Sequence, residues 1–175
     1  MTARYLPSIV LLLVGFGADR IHKFVGIDPA CIGGSCKGNA FVFVPAALTG
    51  WRGGEYVPVT PFLDYVLVWN SGISYGLLSA FPVWAIGLLI AVALGGLAVW
   101  WHRSTAPLVR AGLALAIGGA LSNGLDRWLF GAVADFFHFH WGEYSFYIFN
   151  LADAAITAGV LLLLLDVVGV GRARS

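Results

Sequence analysis

The chain has 175 residues, 59% hydrophobic and 11% charged, with a mean hydropathy of +0.86. Soluble domains average about 25% charged residues, so this composition excludes a free soluble domain and points to a membrane protein. A net charge of +1 excludes the basic surface that nucleic-acid binding requires.

Residues 6–25 form the first apolar run. About 20 residues at 1.5 Å rise cover a bilayer core, so a spanning helix is predicted. A cleaved signal peptide is the competing reading. Against it, Asp19, Arg20, His22 and Lys23 stand where a small-residue cleavage site would lie.

Residues 26–76 are no span: glycine, four prolines in 26–61 and both cysteines predict loop and short strand. NAFVFV (39–44) and PFLDYVLVW (61–69) have strand composition. The second places Leu63, Tyr65, Leu67 and Trp69 on one face of a period-2 pattern. Together they predict a small β-element on the membrane surface. Cys31 and Cys36, in CIGGSC, fit either a small disulfide loop or two free thiols.

Three further spans are predicted over 81–101, 106–125 and 149–168, with a loop over 126–148. Four spans place both termini on one side. Lys and Arg are tied, five on each side, but eight of nine carboxylates lie on the side away from the termini. Arg20, Lys23 and Arg127 on that side sit among carboxylates, as partners do. The remaining basic residues favour cytoplasmic termini.

The topology gathers Asp19, Asn70, Asn123, Asp126, Asp135 and Asp153 at one membrane face. Carboxylates at a bilayer edge are costly and need partners or a function. Asp19 and Lys23, at i and i+4, read as a helix-face pair. Asp126 reads as the partner of Arg127. Asn150 and Asp153 read as a reciprocal cap on the fourth helix, whose dipole also favours an ionised Asp153. Asp135, between Ala134 and Phe136, has no adjacent cation. Two carboxylates that approach each other share a proton, so one can act as base on a water while the other polarises a carbonyl. His138 and His140 share a face if FHFHW is extended; they fit a metal site with Glu143, or interfacial residues among aromatics. No Ser–His–Asp arrangement or phosphate loop is apparent.

Three function classes compete at this point: an aspartyl enzyme, a carboxylate-relay transporter and a non-catalytic membrane scaffold. A relay needs carboxylates spread through the membrane depth, and here they gather at one face.

GGALSNGLDRWLFGAVADFF (118–137) and FNLADAAITAGVLLLLLD (149–166) resemble the two signature blocks of lipoprotein signal peptidase, or signal peptidase II. ADRIHK (18–23) and VWNSGISYGLL (68–78) resemble that family's first-helix and Asn-containing motifs. The resemblance covers nearly the whole chain. It implies a four-helix, all-α membrane protein with a small extracytoplasmic β-cradle, forming one integral membrane domain over residues 1–175. It implies an intramembrane aspartyl endopeptidase that cleaves lipid-modified bacterial prolipoproteins just before the diacylglyceryl-cysteine. The dyad falls on Asp135 and Asp153, with Asn70, Asn123, Arg127 and Asn150 in supporting positions and Asp19, Lys23 and Asp126 in structural ones. No metal or organic cofactor is implied. The protein would be a monomer in the bacterial inner membrane, in contact with lipid, with its site near the extracytoplasmic face. Ala154, Ser122, Arg20 and His22 depart from the residues common in the family, as does a long 26–60 segment.

Overall fold

A computed structural model describes residues 4–27, 56–70 and 83–170. Cys31, Cys36 and the strand expected over 39–44 lie outside the described residues, as does most of the motif after Asn70.

Four helices and a four-stranded sheet follow in the order α1 (Leu6–Gly26), β1 (Val57–Thr60), β2 (Leu63–Asn70), α2 (Val83–Arg103), α3 (Pro107–Phe130), β3 (Val133–Trp141), β4 (Tyr144–Ser145) and α4 (Leu151–Val167). Pro7 and Pro107 sit in the first turns of α1 and α3, where a missing N–H loses no helical bond. Gly131, at φ 74°, takes the left-handed turn that ends α3, its N–H donating to the Arg127 carbonyl at 3.0 Å.

α3 is the central helix, packed against α4, α1 and α2. Its glycines permit this. Gly112 faces Gly159 of α4, and a Cβ added to Gly112 would lie 2.7 Å from the Gly159 carbonyl. Gly119 meets the Ala152 carbonyl and Gly118 the Leu12 carbonyl in the same way. Small residues that let backbones approach are how helices pack in lipid, where apolar burial drives little association. Leu88, Leu89, Val92, Leu161 and Leu164 point outward. Among the described residues α3 alone is long and apolar enough to cross a membrane by composition, and Gly87–Arg103 forms a shorter apolar stretch.

The sheet is antiparallel in the order β1-β2-β3-β4. Its buried face packs Tyr65, Leu67, Ala134 and Phe136 with Ile27 from the end of α1. The stretch expected as loop over 126–148 is therefore largely ordered: α3 continues five residues past the predicted end at 125, and β3 and β4 follow. The apolar VADFF run pairs with β2 and buries Val133, Ala134, Asp135 and Phe136, which satisfies backbone groups that a buried loop would leave unpaired. Phe149 then bridges to Phe137, with N–H···O distances of 2.9 and 3.0 Å. That bridge delivers Asn150 and the start of α4 to the side of β3.

Candidate active site

Asp135 lies on β3, opposite Val68 of β2, and is 2% exposed. Its Oδ1 accepts from Asn150 Nδ2 at 2.7 Å and its Oδ2 from Asn70 Nδ2 at 3.1 Å. Asp153 stands in the first turn of α4. Its backbone N–H donates to Asn150 Oδ1 at 2.9 Å, and its Oδ2 accepts the Asn150 N–H at 3.4 Å. This is the capping box that the Asn150/Asp153 spacing predicts. Asp153 Oδ1 also accepts from Asn123 Nδ2 at 2.8 Å. Asn123 Oδ1 in turn accepts from Asn150 Nδ2 at 3.0 Å and Lys23 Nζ at 3.1 Å. Asn70, Asn123 and Asn150 thus converge on the two carboxylates, and Asn150 bonds both.

Burial pushes the Asp135 carboxyl up to about 7, and the nearby Asp153 charge adds to the rise. The Asn70 and Asn150 hydrogen bonds and Lys23 oppose it. Asp135 therefore titrates near neutrality and carries its proton below about pH 7.

Behind the pair lies a buried ion cluster. Lys23 Nζ is 2.8 Å from Asp19 Oδ2 and 2.6 Å from Asp126 Oδ2. Arg20 bonds Asp126 and donates through Nε to Ser122 Oγ at 2.6 Å. Two carboxylates face two cations, so the cluster is neutral. The expected pairing of Asp126 with Arg127 is not made. As α3 runs on through Phe130, Asp126 faces α1, whereas Arg127 donates to the Asn123 carbonyl at 3.3 Å and acts electrostatically on Asp135, Asp153 and Asp126.

The cluster also holds backbone. Asp19 Oδ1 accepts the Ala152 N–H at 3.0 Å, and Asp126 Oδ2 accepts the Ala134 N–H at 3.1 Å. Ala152 and Ala134 immediately precede Asp153 and Asp135. Asp19 and Asp126 therefore anchor the two backbone segments that carry the pair.

Two features escape the sequence reading. Burial raises the Tyr147 hydroxyl pKa, and the charges of Asp153 and Asp135 add to the rise. Its place three residues before Asn150, at the mouth of α4, is the only signal for it. Asp64, His138 and Ser145 form a hydrogen-bonded chain, with His138 Nδ1 3.1 Å from Asp64 and Nε2 2.6 Å from Ser145 Oγ. No spacing in the sequence reveals this Ser–His–Asp order, because the strand register creates it. Ser145 Oγ also donates to the Phe146 carbonyl, and the chain ties β4 to β2 at the exposed hairpin. His140 stacks on His138 at 5.5 Å and faces the same Asp64.

Comparison with known proteins decides the family. The family model for signal peptidase (SPase) II matches residues 11–169. The chain belongs to the signal peptidase II family. Relatives named lipoprotein signal peptidase include one from Methylorubrum extorquens (strain PA1), 50% identical over 62% of this chain and 65% of its own length. One from Methylocella silvestris is 53% identical over 63% of this chain and 66% of its own length. One from Nitrobacter hamburgensis is 48% identical over 67% of this chain and 74% of its own length. The match thus spans just under two thirds of the first two relatives. A solved bacterial membrane enzyme superposes with a TM-score of 0.72 at 23% identity, covering 97% of this chain and 93% of that one, which establishes the shared fold. A second has a TM-score of 0.70 at 25% identity, with 94% of each chain covered.

Proposed function

We propose that this signal peptidase II family member is an intramembrane aspartyl endopeptidase. It removes signal peptides from lipid-modified bacterial prolipoproteins, cutting just before the diacylglyceryl-cysteine, with Asp135 and Asp153 as the dyad. The observation that carries this reading is Asn150: its side chain donates to Asp135 and accepts the Asp153 backbone N–H, and its own backbone N–H donates to the Asp153 carboxylate.

The two carboxylates have different surroundings. Asp135 is buried among strand residues and titrates near neutrality, so its protonated form is available to the reaction. Asp153 lies in the first turn of α4, where the Asn150 N–H, the Asn123 amide and the helix dipole offset the cost of burying its anion. Asp153 takes a proton from water, and the oxygen attacks the scissile carbonyl. The Asp135 O–H donates to the carbonyl oxygen as charge develops there. Collapse of the tetrahedral intermediate returns a proton to the leaving amide nitrogen and frees the new carboxyl. Asn70, Asn123, Asn150 and Arg127 orient the pair and spread its charge. Asp19, Lys23 and Asp126 hold the backbone beneath it.

The outward apolar faces of the helices, the shared fold with membrane enzymes and the carboxylate distribution support four spans in the bacterial inner membrane. In this reading residues 1–175 form one domain, a monomer with cytoplasmic termini, an extracytoplasmic β-cradle and a site near that face. Asp135→Asn and Asp153→Asn should each lower cleavage of a lipid-modified prolipoprotein by about 10²–10⁴-fold, the contribution of a positioned acid or base. Both variants should insert and fold as the wild type does. Cleavage retained by either in a gel-shift assay removes it from the dyad, and inhibition by chelators would redirect attention to His138 and His140.

A further inference from the structure

The end of the bundle remote from the carboxylates holds a second polar group. Arg110, in the first turn of α3, is 5% exposed. Its Nη2 donates to Ser8 Oγ at 3.2 Å, and its guanidinium lies 4.1 Å from the Tyr5 ring and 5.7 Å from the Trp101 ring. Among the described residues no carboxylate forms an ion pair with it. Arg110 Nε and Trp101 Nε1 are both buried donors with no acceptor among the described residues. Aromatic faces offset part of a cation's desolvation, but an unpaired buried guanidinium and an unmatched indole N–H remain costly.

Both groups are donors only, and they sit in one packed cluster. Arg4, which donates to the Tyr5 hydroxyl at 2.6 Å, and the exposed Arg103 add positive charge at the same end. The acceptor such a cluster fits is anionic and has several oxygens, which describes a phosphate. Its position favours a lipid source. Trp100 and Trp101 stand at the end of α2, where aromatic residues mark the headgroup level, and basic residues at helix ends attract acidic headgroups. We infer that Arg110 and Trp101 form a binding site for the phosphate of an anionic phospholipid headgroup in the leaflet facing the termini. This inference rests on the membrane-spanning reading above.

The test is native mass spectrometry of the full chain in detergent, titrated with phosphatidylglycerol, phosphatidylcholine or inorganic phosphate. Phosphatidylglycerol should be retained about tenfold more strongly than phosphatidylcholine, the weight of one charge-assisted hydrogen bond. Arg110→Gln should abolish that preference. Trp101→Phe, which removes only the N–H, should reduce it and keeps the test valid if Arg110→Gln misfolds. Equal retention of the two lipids, or a preference unchanged in Trp101→Phe and Arg110→Gln, overturns the site. Displacement of the lipid by millimolar inorganic phosphate assigns the site to free phosphate and overturns the headgroup source. A chain that stays soluble and folded without detergent refutes the membrane reading itself; a detergent-dependent chain without lipid preference refutes this inference alone. Prolipoprotein cleavage by both variants, assayed in phosphatidylcholine, should match wild type, since neither residue belongs to the dyad or its supports.

Discussion

Asp135 shows how much a single environment decides. Its neighbours in sequence, Ala134 and Phe136, offer no charge, and its partners Asn70 and Asn150 come from other elements. In an unfolded chain its carboxyl ionises near 3.8; in the fold it does so at about 7. Between those values the folded protein holds a proton that the unfolded chain has lost, so stability falls as pH rises across this window. Thermal melts between pH 4 and 7 should show that decline in wild type and a shallower one in Asp135→Asn. The same titration removes the donor proposed for the scissile carbonyl, so single-turnover cleavage should weaken above about pH 7. A rate that keeps rising well beyond pH 7 would contradict the protonated role of Asp135. Lys23 is the other residue with a large predicted effect. It is 1% exposed and pairs with both Asp19 and Asp126. Lys23→Met leaves those carboxylates with Arg20 alone and should cost about 3–5 kcal/mol, the penalty for breaking a buried ion pair, measured by denaturant titration in detergent. Arg20→Gln should cost less, because the Arg20 side chain is 18% exposed. Arg20 and Ser122, both departures from the family's common residues, bond each other, so the two changes form one local arrangement.

At the scale of elements, the site depends on how closely α3 meets α4 and α1. Gly112, Gly119 and Gly159 line the α3–α4 contact, and a Cβ on any of them would press on the facing backbone. Gly159→Leu should therefore destabilise the protein by about 1–3 kcal/mol or more, as overpacking does. It should also lower cleavage although residue 159 is remote from the dyad, because α4 carries Asp153 and α3 carries Asn123. Stability unchanged in Gly159→Leu would mean that the helices are not held at this distance. The sheet acts in a complementary way. The Phe137–Phe149 bridge sets the start of α4 against β3, and Asp19 and Asp126 bind the backbone just before each carboxylate.

The whole molecule has a polar end and a basic end. The site carboxylates, asparagines and ion cluster lie where α1 and α3 finish and α4 begins, whereas Arg4 and Arg110 lie where α1 and α3 begin and Arg103 where α2 ends, with Asp166 the one carboxylate near the end of α4. That asymmetry supports cytoplasmic termini. In a background with Cys31 and Cys36 replaced by serine, Glu143→Cys should react with a membrane-impermeant maleimide applied outside spheroplasts. Ser175→Cys should react only after lysis. The reverse pattern would invert the proposed orientation.

Composition and apolar run length suffice for the four helices, because a chain this poor in charge has few other ways to bury its backbone. The Asn150/Asp153 cap and the Asp19–Lys23 pair were equally legible, since both are local and follow helical spacing. The motif order around Asn123, Asp135 and Asp153 sufficed for the family. Sequence could not show that residues 133–141 form a strand, because an apolar run beside a helix end reads equally well as loop. Nor could it show that Asp126 turns to Arg20 and Lys23 instead of to its neighbour Arg127, or that Asp64, His138 and Ser145 align. Those choices depend on helix rotation and strand register, which long-range packing sets. The elements and their chemistry are local properties of the chain; the pairing of charges across α1, α3, β3 and α4 exists only once glycine-lined helices have closed to contact.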